Sequence, residues 1–270
     1  YSQWLDIYNE LFETDSSQAR RFLMSKGGNE TKVYIPLRFW FNRNPGLALP
    51  LIALQYHEVK INVEMIAGSA DNGGLADAKL LVNYLYLDTD ERRRFAQVSH
   101  EYLIEQVQHT GVENKAKITM NFNHPVKALF WTSKTKPTGN AKLQLNGHDR
   151  FSEQAHDYFH LVQPYECGLG HSKVLNSTAR TWAAGPASVT TTDNVSMYSF
   201  CLKPAEHQPS GTCNFSRIDN AVLNLGTADY SSVGVYLFAL NYNVLRIMSG
   251  MGGLASVSYT HLTLPTTDRV

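Results

Sequence analysis

Cysteine is scarce in this chain: 270 residues hold three, Cys167, Cys201 and Cys213. They form no CxxC pair and no even framework, so the fold does not rest on a disulfide scaffold. The pattern reads as free thiols of a reducing compartment, or of a family that does not use disulfides. A surplus of one charge is also lacking, with 24 Lys+Arg set against 24 Asp+Glu. That balance argues against a nucleic-acid binder, which needs a basic surplus to displace phosphate counterions, and against a polybasic membrane-surface protein. No apolar run approaches the roughly 20 residues of a membrane-spanning helix. An initiating Met and a signal-peptide pattern are missing too, and the chain opening on Tyr1 is read as a fragment of a longer one.

What is present belongs to a folding sequence: 43% hydrophobic, 11% aromatic and 18% charged residues. The length suits one large β domain or two smaller ones. Residues 3–13 place Trp4, Tyr8, Leu11 and Phe12 at i, i+4, i+7, i+8, which predicts a short amphipathic helix. A polar connection through Gly27-Gly28 follows, and the pattern then changes to strands. These are expected at Lys32–Phe41, Leu51–Leu54, His57–Met65 and Lys79–Leu87. In His57–Met65 the apolar Val59, Ile61, Val63 and Met65 alternate with polar neighbours, as on a half-buried strand. Residues 42–46 and 69–74 carry turn chemistry. Asp88–Phe95 reads as a helical turn with Asp88 or Thr89 as its N-cap.

A second block of strands is expected at Tyr102–Val107, Ala116–Phe122, Val126–Trp131, Val195–Leu202, Ser216–Leu225 and Val233–Arg246. The last of these ends at Ser249-Gly-Met-Gly-Gly253. Residues 132–150 are taken as a polar loop, 151–162 show no clean period, and 168–194 read as a long Ser/Thr/Ala/Gly loop. Many short strands without a strand-helix-strand period predict an all-β sandwich or jelly roll. An order of features also recurs: aromatic strand, Pro-containing loop, alternating strand, Tyr-rich strand with a basic end. It runs from Tyr34 to Arg94 and again from Tyr198 to Arg246. An offset of about 160 residues is the size of a whole β domain, which points to domain duplication with the first copy incomplete.

Several clusters invite a chemical reading. His148, Asp149, Glu153, His156, Asp157 and His160 lie close in sequence, and His156 and His160 at i, i+4 would share one face of a helix. The glutamate of a zincin motif and the His-x-His of a cupin strand are both missing, so a polar edge or loop with solvated histidines is the favoured reading. Gly170-His171-Ser172 only echoes a nucleophile elbow. Cys201, within an aromatic strand, reads as a small buried hydrophobe. Gly250-Met-Gly-Gly253 has no helix after it, so it is not read as a phosphate loop. Asp90-Glu-Arg-Arg-Arg94 reads as a solvated helical turn. Glycosylation patterns stand at Asn29, Asn176, Asn194 and Asn214, with Asn176 in the long loop the best candidate. The aromatics Phe39, Trp40, Phe41, Tyr84, Tyr86, Tyr236 and Phe238 are expected in the sandwich core. Catalytic, cofactor-binding and metal-binding residues are therefore all expected to be none.

One stretch is more specific. Ile35-Pro-Leu-Arg-Phe-Trp-Phe-Asn-Arg-Asn-Pro-Gly-Leu-Ala-Leu-Pro-Leu-Ile-Ala-Leu-Gln-Tyr-His-Glu-Val59 resembles a signature of the major capsid proteins of nucleocytoplasmic large DNA viruses, the phycodnavirus and iridovirus group. Trp4–Leu11, Leu103-Ile-Glu-Gln-Val-Gln108, Cys213-Asn-Phe-Ser-Arg-Ile-Asp219 and Asn241–Gly253 are similar to the same family, in order, over roughly residues 1–254. The resemblance implies a double jelly roll, two tandem β-sandwiches with the first truncated on its N-terminal side. It implies residues 1–97 as the later part of the first jelly roll and 98–254 as the second. Loops 132–150 and 164–194 would be outward-facing or trimer-contacting insertions. It further implies a homotrimer of pseudo-hexameric outline tiling an icosahedral virion shell, assembled in the host cytoplasm. Neighbouring capsomers, minor capsid proteins and internal viral membrane proteins would be its partners, without direct nucleic-acid contact, cofactor or enzymatic turnover. Residues 255–270 resemble no capsid terminus and read as a non-native tail. A carbohydrate-binding β-sandwich is the alternative, with a metal-dependent jelly-roll enzyme a weaker third.

Overall fold

The computed structural model describes residues 1–13, 34–64, 78–133, 139–169, 195–226, 230 and 234–255. Its described residues divide into two units, one within Tyr1–Arg38 and Ile104–Asn243, the other within Phe39–Leu103 and Val244–Ala255. The architecture is all-β, as the strand pattern predicts. Eleven strands are present among the described residues: β1 His100–Glu113, β2 Lys117–Met120, β3 Pro125–Ser133, β4 Asn140–Leu145, β5 His148–Asp149, β6 Gln154–Ala155, β7 Val195–Ser199, β8 Cys213–Asn214, β9 Ala221–Asn224, β10 Val235–Met248 and β11 Met251–Ala255. The longer sheet runs β1-β10-β3-β7, with β11 on β10 and β8 on β3. The second runs β2-β9-β4-β5, with β6 on β4.

In the first unit these two sheets enclose a sandwich core. Ile118 and Met120 of β2, Leu143 of β4 and Leu223 of β9 meet Leu129 and Trp131 of β3 and Leu237 and Ala239 of β10. Because side chains alternate along a strand, Ala128 and Phe130 of β3 and Phe238 and Leu240 of β10 point away from that core. They build a second cluster with Trp4, Ile7 and Leu11. Those three residues form the apolar stripe of helix α1, Ser2–Leu11, where the i, i+3, i+7 spacing carries them onto one face. Trp4 meets Phe130 and Phe238 at ring-centroid distances of 5.6 and 5.9 Å. The sheet is thus covered on one face by a sheet and on the other by a helix.

Several expectations need correction. Residues 132–150 are not a polar loop, because β4 and β5 lie there and Ala141 and Leu143 are buried. Asn146 and Gly147 join them as a two-residue turn with φ of 51° and 81°, the doubly left-handed geometry that Asn-Gly favours. Ser249-Gly250 does follow the end of β10, as expected, but it does not close the sheet. It is the same kind of turn, leading from β10 into β11. The segment Gln154–Glu166 carries β6, a π-helical turn Tyr158–Val162 and helix α3, Gln163–Glu166; α2 is Thr89–Gln97, with Asp88 as its N-cap as expected.

The expected strands at 32–41, 51–54, 57–65 and 79–87 are not formed among the described residues. Trp40–Asn42 is a 3-10 turn, 51–53 is a turn, and 57–64 and 78–88 are irregular. A strand requires a neighbour's N–H and C=O groups, and no described segment supplies a ladder to these residues. Their apolar side chains accordingly lie open: Val59, Ile61, Val63, Leu81 and Tyr84 are exposed and Tyr86 is 93% exposed, so Tyr84 and Tyr86 are not core. Phe39, Trp40 and Phe41 are half-buried, whereas Phe238 is buried as expected. In this second unit the β10–β11 hairpin is held by residues 54–57. Tyr56 N donates to Gly250 O (2.9 Å) and Gly252 N donates to His57 Nδ1 (3.2 Å). Residues 27–28, 65 and 69–74 lie outside the described residues, as do the inner part of the 168–194 loop and the tail beyond Ala255.

Two substitutions test this packing. Trp4→Ala is expected to cost about 3 kcal/mol in urea unfolding, since it removes the ring that closes the outer cluster. At Gly250 a Cβ would stand 2.5 Å from the Tyr56 ring, at a φ of 81°. Gly250→Ala should therefore cost about 1–2 kcal/mol. Gly253→Ala, whose Cβ meets nothing within 4 Å, serves as the control and should be close to neutral.

Candidate functional site

Two of the stretches singled out in the sequence, 103–108 and the 241–248 part of 241–253, lie in the neighbouring strands β1 and β10. Their polar residues face one another. Gln106 Oε1 accepts from Asn243 Nδ2 (2.9 Å), and Gln108 Nε2 donates to Asn241 Oδ1 (2.9 Å). Gln108 also exchanges two hydrogen bonds with the Asn123 backbone, so its amide is fully used. Asn241 and Asn243 are buried, and burial of amides is tolerated because each finds a partner.

A charge pair completes this polar seam. Lys127 of β3 donates to Glu105 of β1 across 2.6 Å, with side chains 0% and 2% exposed. The same ammonium donates to Glu206 O (2.9 Å) and sits 4.8 Å from the centre of the Tyr242 ring. Tyr242 in turn donates its hydroxyl to His207 O (3.2 Å). One buried cation therefore ties β1, β10 and the 206–207 segment together through three kinds of contact. Its chemistry is that of a clamp. Nothing in the local pattern of β3 marks Lys127 as buried, but Glu105, Gln106 and Gln108 within an otherwise strand-like run were the signal that this strand faces something polar.

The histidine cluster takes a different form from the one expected. His156 and His160 do share a face, with imidazole planes 10° apart and centroids 5.7 Å apart. His156 is buried at 7% exposure rather than solvated, with its Nδ1 3.2 Å from Ser196 Oγ, and the half-buried His160 has its Nδ1 2.8 Å from Val195 O. Their work is to fix the start of β7. His148 and Asp149 form the short exposed strand β5, and Glu153 is exposed. Gln144 and Lys142 hold the Asp149 carboxyl below its ordinary range, the Gln144 hydrogen bond being the larger cause. Asp157 is the N-cap of the π-helical turn. Among the described residues no three His, Cys, Asp or Glu side chains come together as a metal site.

The remaining candidates are structural in their contacts. Asn214 Oδ1 caps the Phe215–Arg217 turn by accepting from Ser216 N (3.1 Å). Asp90–Arg94 lies on exposed α2, with acids in its first turn and Arg94 in its last, as the helix dipole favours. Cys201 is buried, while Cys167 and Cys213 are half-buried. Gly250–Gly253 shapes the β10–β11 hairpin. Asn29, Asn176, Asn194 and Gly170–Ser172 lie outside the described residues.

The comparisons with known proteins agree across the chain. The family described as major capsid protein N-terminus matches residues 1–88, and that described as large eukaryotic DNA virus major capsid protein matches 91–140 and 175–253. The chain is similar to the major capsid protein of Pyramimonas orientalis virus, 52% identical over 94% of this chain and 72% of the relative. It is also similar to the major capsid protein of Paramecium bursaria Chlorella virus 1, 37% identical over 94% of this chain and 75% of the relative. Among solved structures, a quasi-atomic model of the PBCV-1 virus capsid superimposes with a TM-score of 0.69 at 34% identity, covering 94% of this chain and 79% of that one. The all-β, double jelly-roll fold class follows from that superposition.

The clamp yields a test. Lys127→Met alone strands the Glu105 carboxylate in the interior and should cost about 3–5 kcal/mol in chemical denaturation. The double variant Lys127→Met/Glu105→Leu should recover most of that loss. A double variant as unstable as the single one would show that the loss comes from packing rather than from the orphaned charge.

Proposed function

The chain belongs to the major capsid protein family of large eukaryotic DNA viruses, and on that premise we propose that it is a structural subunit of the virion shell, acting by association and not by turnover. The observation that carries the reading is the continuity of the match, from residue 1 to residue 253 in one order. His156, His160, Asp149 and Asn214 support it as well, because their hydrogen bonds hold strands and turns. In this reading three copies form a closed trimer, and trimers then meet as neighbouring capsomers. Closed rotational symmetry makes one surface serve every contact.

The two jelly-roll shares are read as residues 1–97 and 98–254, a division supported by the change of matching family between residues 88 and 91. Minor capsid proteins and internal viral membrane proteins are the further partners, and assembly takes place in the host cytoplasm. The zero net charge supports dense packing, since copies held side by side would repel if each carried a large like charge. It also speaks against direct contact with the genome. Exposed apolar residues at 59, 61, 63, 80–82 and 84–86 support a protein that is covered in its working state.

Purified full-length protein should sediment at three times the chain mass and show particles of near-hexagonal outline by electron microscopy. Monomers alone at all concentrations, with no ordered array, would contradict the proposal. A glycan array gives the rival reading its chance: strong binding by the monomer would favour an attachment module.

A further inference from the structure

The Asn146-Gly147 turn does more than reverse the chain. It joins β4 to β5 with Leu145 paired to His148, and Leu145 is also paired to Ala221 at the start of β9. The Asn146 residue fastens the turn to the segment just before β9. Its Oδ1 accepts from Asp219 N (2.9 Å) and Asn220 N (3.2 Å), and its backbone N–H donates to Asn220 O (2.7 Å). Both turn residues are exposed to water. An Asn followed by Gly is chemically vulnerable, because a residue without Cβ lets its nitrogen approach the preceding side-chain carbonyl unhindered.

We propose that Asn146 is a latent deamidation site, held unreactive by the closed turn and released when the β4–β5 hairpin opens. The reaction places the Gly147 nitrogen on Asn146 Cγ. Solvent base takes the Gly147 N–H proton, and the nitrogen bonds to Cγ. The Cγ–Nδ2 bond then breaks, and the leaving nitrogen takes up a proton and departs as ammonia. Water opens the resulting five-membered succinimide at either carbonyl. The product at position 146 is aspartate or isoaspartate, with one water consumed and one ammonia released.

Two features of the fold oppose the attack. At a φ of 51° Asn146 is left-handed, a region whose ψ is about +30 to +60°. There the Gly147 nitrogen stands nearly opposite Asn146 Cβ about the Cα–C bond, whereas a five-membered ring needs the two nearly eclipsed. A large rotation about that bond is required. The pairing of Leu145 with His148 and the two hydrogen bonds on Oδ1 resist it. Those same two donors polarise the carbonyl, so the obstacle is one of geometry and not of reactivity. Isoaspartate adds a methylene to the main chain inside a two-residue turn, which then no longer fits the hairpin or holds residues 219 and 220. Each opening that leads to isoaspartate is therefore recorded permanently.

The test holds the full chain near pH 8, folded in one arm and unfolded in urea in the other. Position 146 is followed over time by digestion and mass spectrometry, which separates it from Asn72, the other Asn that precedes a glycine. The folded protein should convert at least about tenfold more slowly, because it reacts only in its open fraction. Asp149 gives an independent handle on that fraction. Beside the turn, its carboxylate accepts from Gln144 Nε2 (2.6 Å) and Lys142 Nζ (3.4 Å). Asp149→Ala should speed conversion of the folded protein several-fold and leave the rate in urea unchanged. A folded rate less than about tenfold below the urea rate, no conversion in urea, or a stably folded Asp149→Ala chain with an unmoved rate would each overturn the proposal. The two arms of the unaltered protein decide it even if the variant folds poorly.

Discussion

The pairing of β3 with β10 is the constraint on which the first unit depends. Each residue of one strand has a fixed opposite in the other: Trp131 with Leu237, Phe130 with Phe238, Leu129 with Ala239. Alternation then sends successive side chains to opposite faces, so both faces are apolar and neither can be left to water. A second sheet must cover one face and α1 the other. Lys127 falls inside this doubly covered region, where an ammonium is tolerable only because Glu105, Glu206 O and the Tyr242 ring surround it. The register shift between Leu240 and Asn241 occurs just where β10 passes from apolar residues to its polar ones. The core therefore gives way to the seam at a defined point of the ladder.

What could be read from the sequence was mostly what a short window contains. The α1 stripe, the α2 cap and the existence of β1, β2, β3, β7, β9 and β10 all follow from periodicities of a few residues. The failures have two separate causes. In residues 132–150 the density of Lys, Thr, Gly and Asn was taken as loop composition. Asn146-Gly147 was the stronger signal, since that dipeptide favours both left-handed conformations that a tight hairpin needs. At 57–64 and 78–87 the pattern was sound but incomplete as a cause. Alternation says which face a strand would bury, and cannot supply the neighbour that makes it a strand.

The polar groups show the same division between local and distant information. That His156 and His160 share a face was legible from their spacing. That they are engaged by Val195 and Ser196 was not, because those partners come from a strand some forty residues away. Cys201 as a small buried residue was legible from its aromatic surroundings. Lys127 was the least legible of all, since a lysine inside Pro125–Ser133 looks locally like the solvent side of an edge strand. Its burial is set by Glu105, far along the chain.

A subunit whose work is association has no single cavity to optimise, and its chemistry is correspondingly spread out. The buried ionic and amide groups described in the first unit are spent on internal positions: the seam between β1 and β10, the clamp at Lys127 and the tether of β7. Such internal contacts suit a repeated association, because a flexible surface would lose entropy anew at every copy it meets. The exposed alternation in the second unit has the opposite character. It offers apolar side chains and unladdered backbone together, the two features that make a segment pair with another chain. Paired strands with their polar groups engaged in one unit, and exposed apolar residues on unladdered backbone in the other, are the two contrasting surfaces that the described residues present.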